Sequence, residues 1–193
     1  GGAFAIVLGG TLAAILVQTP GRVFLRALRM LPWLVRPPRA DRTALVQRII
    51  GWSRIARRDG LLALERPAAS EPDPFARAGL AMLIDGYDAA LLRSGLETEL
   101  TTREDSGMQA ARGFESAGGY APTIGILGAV LGLIQVMGSL DDPEGLGAGI
   151  ATAFVATVYG LAAANLLLLP VANKLKYHVR EQIKEKELLI DGL

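Results

Sequence analysis

The chain has 193 residues, with 20 Lys and Arg against 19 Asp and Glu, a net charge of +1 and a mean hydropathy of +0.35. It holds no cysteine and one histidine, His178. This excludes a disulfide scaffold, a cysteine nucleophile and a histidine-based metal cluster, so neither a metal nor a cofactor is expected. A hydrophobic content of 51% argues against disorder, which leaves a membrane protein or a very apolar globular one.

The positions of the charges decide between these. Residues 1–21, 116–140 and 145–173 carry none, in windows of 21, 25 and 29 residues, and a bilayer-spanning helix needs roughly 20. Buried core helices seldom run so long without a charge. Three spans are therefore expected, at Ala3–Thr19, Tyr120–Leu140 and Leu146–Leu169. Every Lys and Arg lies in 22–112 or 174–186, whereas the loop Ser139–Gly145 holds Asp141, Asp142 and Glu144. The positive-inside rule then places 22–117 and 171–193 in the cytoplasm and the acidic loop outside.

The first window opens at Gly-Gly without a methionine, which reads as a chain whose first residues, and with them an upstream span, are missing. After it, Arg22, Arg26 and Arg29 recur at i, i+4 and i+7, with Phe24, Leu25, Leu28 and Leu31 as apolar surface. Segment 22–40 is expected to be a basic amphipathic helix at the inner headgroup boundary, a contact with membrane lipid rather than nucleic acid, with Trp33 as an anchor. Pro37-Pro38 ends it.

Residues 41–117 predict a cytoplasmic helical domain. Asp41 is a candidate N-cap for a helix carrying Leu45, Ile49, Trp52 and Ile55. Asp73-Pro74 places a cap before a proline at the first helical position, for a helix ending near Asp85-Gly86. Asp88 caps a further helix, with Leu91, Leu92, Leu96 and Leu100, which leads towards the second span. The 118–170 segment is then a transmembrane hairpin after the first span in 1–21. The tail, 171–193, is a charged helix in which His178 is expected to be a solvated surface residue. The fold class is all-α: a polytopic membrane protein with three visible spans plus this cytoplasmic domain.

None of the spans contains Asp, Glu, Lys, Arg or His. Paired aspartates, a Ser-His pair or a metal set are all missing from them, so no intramembrane enzyme is expected. A proton relay needs an ionisable group within the bilayer, so a conducting role requires a partner that brings the acid. Gly125, Gly128 and Gly132 form one small-residue face, and Gly149, Ala153, Ala156, Gly160 and Ala163 another. Such faces accept a partner helix or pack the chain's own spans together; spacing does not choose. Pro122 and Pro170, at the cytoplasmic ends of two neighbouring spans, are either helix starts and stops or hinges.

The stretches Tyr120-Ala-Pro-Thr-Ile-Gly-Ile-Leu-Gly-Ala-Val-Leu-Gly-Leu, Leu146-Gly-Ala-Gly-Ile-Ala-Thr-Ala-Phe-Val-Ala-Thr-Val-Tyr-Gly and Leu169-Pro-Val-Ala-Asn-Lys-Leu resemble the MotA/PomA stator subunits of the bacterial flagellar motor, in the MotA/TolQ/ExbB ion-channel superfamily. Ile6-Val-Leu-Gly-Gly-Thr11 is similar to that family's second span. Arg57-Arg58-Asp59-Gly60-Leu61-Leu62-Ala63-Leu64-Glu65 is similar to its cytoplasmic signature. The resemblance covers nearly the whole chain and implies four spans in the full protein, of which the first is absent here, and a longer tail.

It further implies an inner-membrane homo-oligomer, a pentamer, around two MotB-type subunits whose helix supplies the intramembrane aspartate. Pro122 and Pro170 match the prolines linked to conduction and torque. Arg57, Arg58 and Glu65 match charged positions that engage the rotor protein FliG, although a solvated helix face gives the same pattern. Ala129, Ala153, Ala156 and Thr157 fall at the ion pathway. Sodium-driven members have threonine where Ala129 and Ala156 stand, and sodium must exchange its water for oxygen ligands, so the two missing hydroxyls favour protons. The rival is an ExbB/TolQ-type energiser of an envelope process, whose topology has three spans with an outer N-terminus; a non-conducting membrane scaffold is the other alternative.

Overall fold

The computed structural model describes residues 2–38, 41–138 and 143–193, and every regular element among them is helical. The expected acids Asp141 and Asp142 of the outer loop, the end of the second span at Leu140, and Arg39 of the basic segment lie outside the described residues. The chain divides into two compact units, one of Gly1–Arg36 with Gly107–Lys176 and one of Pro37–Ser106 with Tyr177–Leu193. Segment 107–117, grouped by sequence with the cytoplasmic domain, thus belongs to the unit that holds the apolar helices.

In the first unit, α1 (Gly2–Gln18) is apolar on every side. It buries only the narrow stripe Ala3, Val7 and Thr11, at i, i+4 and i+8, and packs against α7 (Pro143–Ala162). Phe4 meets Tyr159 edge to face at 5.9 Å. Pro20 turns the chain into α2 (Gly21–Met30), followed by a 3-10 turn over Leu31–Leu34. Helix α6 (Ala89–Met137) continues through Pro122, and a π-helical segment, Ala163–Leu168, joins α7 to α8 (Leu169–Gly192). Two stretches, Ala89–Met137 and Leu146–Gly192, are long and apolar enough to cross a membrane. Helix α1, at 17 residues, spans about 26 Å at ~1.5 Å per residue.

The two small-residue faces meet each other. A Cβ added at Gly125 would lie 2.9 Å from the Ala156 carbonyl oxygen, and one at Gly160 would lie 2.5 Å from that of Ala121 and 3.0 Å from Gly125 Cα. Gly128 faces Ala156 Cβ at 3.2 Å and Gly132 faces Ala153 Cβ at the same distance. Helices in a bilayer gain little from excluding water, so association rests on dispersion contacts that require this close approach. At the other end of the hairpin, Gly118 lies against Leu169. Lys174 donates to the Leu34 carbonyl at 2.8 Å and Lys176 pairs with Glu115 at 2.6 Å, fixing the start of α8.

The second unit is a helical cluster in which the predicted caps form. Asp41 accepts from Ala44 N at 2.9 Å at the start of α3 (Arg42–Asp59), and Asp73 accepts from Phe75 N at 3.1 Å at the start of α5 (Pro74–Ile84). Asp88 accepts from Leu91 N at 2.8 Å to begin α6. Between them a 3-10 turn, Leu61–Leu64, leads into α4 (Glu65–Ser70). Phe75, Leu80, Leu96 and Leu189 are fully buried in the core, and each such side chain contributes about 1.5–3 kcal/mol relative to exposure.

The loop between α4 and α5 is held by charge. Glu71, only 4% exposed, accepts from Arg48 at 2.5 Å and from the Asp73 backbone N–H at 3.0 Å. Arg77 donates twice to the Glu71 carbonyl, and Lys186 pairs with Asp73. His178, expected at the solvated surface, instead has a buried Nε2 with no hydrogen-bond partner among the described residues. The physical reason is helical phase: it lies on the side of α8 that carries Leu175 and Val179.

Gly160→Ala should therefore strain the seam by about 1–3 kcal/mol and lower the thermal midpoint of the purified complex. Gly119→Ala, whose Cβ meets nothing within 4 Å, should leave it unchanged or raise it. In the second unit, Glu71→Ala leaves the Asp73 N–H and the Arg48 guanidinium without their acceptor. A loss of about 2 kcal/mol is expected in chemical denaturation followed by helical circular dichroism, with Glu65→Ala, on an exposed position, as the near-neutral control.

Candidate functional site

The pathway residues expected from sequence all lie on the α6/α7 hairpin, but at different depths. Ala153 and Ala156 are 2% and 1% exposed, sealed in the seam against Gly132 and Gly128. Thr157 and Ala129 are half-buried. The Cα of Thr157 borders Gly125, where an added Cβ would come within 3.3 Å of it, so the threonine sits at the edge of the seam rather than inside it. Away from the seam the spans expose Ile126, Leu133, Phe154, Val158 and Leu161. These are surfaces for lipid or for another chain.

Pro122 neither begins nor ends a helix, whereas Pro170 is the second residue of α8. Pro122 lies inside α6, and Pro170 follows the π-helical segment within an unbroken helical run. The start-or-stop expectation is thus removed for Pro122. Each lacks an N–H: Pro122 so frees the carbonyl four residues earlier, at Gly118, and Pro170 removes a donor directly after the π-helical segment. The Gly118·Leu169 contact brings both prolines to the same end of the hairpin. Nearby backbone acceptors are taken up by side chains: Thr123 Oγ1 donates to the Tyr120 carbonyl at 2.8 Å and Asn165 Nδ2 to that of Leu161 at 3.0 Å.

Asn165 was not singled out by sequence, although an amide among leucines five residues before a proline is a visible signal. Thr11 is a second such residue. It is 5% exposed, and its hydroxyl has no partner among the described residues.

Arg57, Arg58 and Glu65 are all exposed. The two arginines end α3, where positive charge complements the helix dipole. Gly60, with φ of +85°, turns the chain out of that helix in a conformation that favours glycine. Glu65 opens α4 one 3-10 turn later. Arg58 holds Asp59 through two parallel bonds of 3.0 and 2.9 Å. That hydrogen bonding keeps the Asp59 carboxyl below its ordinary range and Arg58 above its own, although both are solvated. Arg57 takes part in no ion pair among the described residues and borders an apolar hollow lined by Ile49, Trp52, Leu61 and Leu64. Leu61 and Leu62 are exposed beside it.

Comparison with known proteins places these features. Residues 68–188 match the MotA/TolQ/ExbB proton channel family. Motility protein A of Bacillus subtilis is 35% identical over 99% of this chain and 71% of its own length. The structure of C. jejuni MotAB superposes with a TM-score of 0.92 at 29% identity, covering 99% of this chain and 75% of that one. The flagellar MotAB stator complex from Bacillus subtilis gives 0.84 at 35% identity, over 98% and 75%. With its charge-free spans joined along a glycine–alanine seam, the chain belongs to the MotA/TolQ/ExbB proton channel family, among its MotA-type flagellar stator subunits.

Proposed function

We propose that this chain assembles as a ring, a pentamer by resemblance, around a MotB-type subunit in the bacterial inner membrane. Together they form a proton channel that couples ion flow to torque on the rotor protein FliG. One observation carries the proposal: a MotA-type fold whose spans contain no Asp, Glu, Lys, Arg or His. Protons cannot cross such a surface by relay, so the carboxylate must come from the partner helix, as an intramembrane aspartate. The similarity to two MotAB complexes supports the identity of that partner. The ExbB/TolQ alternative is weaker, because motility proteins match along nearly the full chain.

In this reading Thr157 and Ala129 border the partner's aspartate. Ala153 and Ala156, being sealed in the seam, act from behind by setting where Thr157 stands. Protonation of the aspartate removes its charge and lets the ring step around the partner. One elementary charge crossing ~100 mV gains about 2.3 kcal/mol, comparable to a few surface contacts, so each step is small. Pro122 and Pro170, at one end of the hairpin, are where the helices would bend. With 22–117 and 171–193 in the cytoplasm, Arg57, Arg58 and Glu65 push the rotor.

Two measurements test this. Arg58→Glu or Glu65→Lys should lower swimming speed several-fold while proton flux through the reconstituted complex stays at the parent level. An equal fall in flux would make these residues structural. Motor speed at fixed membrane potential should not change with external sodium, because alanine stands at both positions where a sodium-driven pathway has hydroxyls. A strict sodium requirement would refute the proton assignment.

A further inference from the structure

Helix α2 carries three distinct faces. Ala27 and Met30 are buried and Val23 and Phe24 half-buried against the first unit. Arg22, Arg26 and Arg29 form an exposed stripe, and none of them takes part in an ion pair among the described residues. Between these two faces, at 100° per residue, lie Leu25 and Leu28, exposed by 54% and 43%. A helix at a water-filled surface has no use for a leucine strip beside its cations. One at a headgroup boundary does.

Beside Leu28 a small apolar cleft of about 30 Å³ opens between three helices, room for the tip of an acyl chain and not for its length. Ile15 of α1 and Thr19 just beyond its end, Phe24, Ala27 and Leu28 of α2, and Phe114 of α6 line it, and its wall is nearly free of polar atoms. Gly113 belongs to the same wall, and a Cβ there would meet nothing within 4 Å. Cleft and arginine stripe lie on one helix, with the leucine strip joining them. Lys174 closes the end of the following 3-10 turn by binding the Leu34 carbonyl, so this corner is ordered rather than frayed.

We propose that α2, α1 and α6 form a binding site for one anionic phospholipid. Its phosphate is held by Arg22, Arg26 and Arg29, and an acyl chain lies over Leu28 into the cleft at Phe24 and Phe114. Charge complementarity selects the headgroup: a zwitterionic lipid offers the same phosphate but brings its own cation to a stripe that already has three. The orientation proposed above sets only which leaflet supplies the lipid.

The test uses the complex with its MotB-type partner, reconstituted in vesicles carrying bromine on the acyl chains of either phosphatidylglycerol or phosphatidylcholine in both leaflets, so that orientation does not affect the result. With Trp52→Phe, Trp33 reports quenching next to α2. Native mass spectrometry of the parent complex counts retained lipid without that substitution. Phosphatidylglycerol should be preferred about fivefold or more, and R22Q/R26Q/R29Q should bring the ratio to near one with proton flux unchanged. Gly113→Leu should fill the cleft and reduce retained lipid while all three arginines remain. Equal affinity for both lipids in the parent, or an unchanged preference in the arginine variant, would overturn the site. So would a Gly113→Leu complex that retains as much lipid as the parent. Absence of quenching by either lipid would mean that a second copy of the chain covers α2, and would overturn it equally.

Discussion

The near-contact of backbones along the α6/α7 seam is the constraint on which the membrane unit depends. Glycine at 125 and 160 lets the two helices approach until an added methyl would strike a carbonyl oxygen. At that distance dispersion acts between main chains as well as side chains, and it compensates for the absence of a hydrophobic drive between helices in lipid. The seam also decides what is left outside it. Val136 packs on Gly149 and Leu169 on Gly118, whereas Ile126, Leu133, Phe154, Val158 and Leu161 are turned away, so the outward faces are leucine, isoleucine, valine and phenylalanine with Thr157 at the boundary. Small residues that looked able to receive a partner are used up within the chain. A partner must therefore be met by the outer faces and by the seam's edge.

A hairpin fixed so tightly along its length can change shape most cheaply at its ends, and there the hydrogen-bond ladder is already interrupted. Pro122 and Pro170 each remove a donor, and the π-helical turn before Pro170 shifts the pairing by one residue. Within that turn, Asn165 lends a side-chain amide to the Leu161 carbonyl, so this polar side chain is itself paired in an apolar setting, where an unpaired one would cost several kcal/mol. The helix is weakened in stiffness without being broken.

Much of this was legible in the residues. Charge-free windows mark the spans because charge in a bilayer is costly, and Asp41, Asp73 and Asp88 mark helix starts because a short acceptor satisfies N–H groups the helix cannot. What escaped has a physical reason in each case. Spacing leaves Pro122 as either a helix boundary or a hinge, and it sits within α6, where neighbouring side chains and the packed hairpin hold the turn together. Helix α6 itself runs from a polar segment into an apolar one, and composition divides what the backbone does not. Glu71 looks like any loop acid, and only the arrival of Arg48 and Arg77 makes it a buried anchor. His178 in a charged tail resembles a solvated residue, because one residue of helical phase separates the two outcomes.

The charges proposed above to face a rotor form a pattern rather than a patch. Arg58 is already answered by Asp59, so the end of α3 offers roughly one net positive charge, centred towards Arg57, and Glu65 offers a negative one across the Gly60 turn. At physiological ionic strength fields decay within about 8 Å, so such a pair exerts force only on a surface almost in contact with it. Its two signs then give a rotor charge one favoured position and one disfavoured position within a single turn of chain. A uniform basic patch would bind an acidic rotor surface and hold it. Alternating signs at short range let go as readily as they attract, which is what an element that must engage and release at every step requires. In that proposal the exposed Leu61 and Leu62 between them would add a non-directional contact that keeps the two surfaces close while the charges exchange partners.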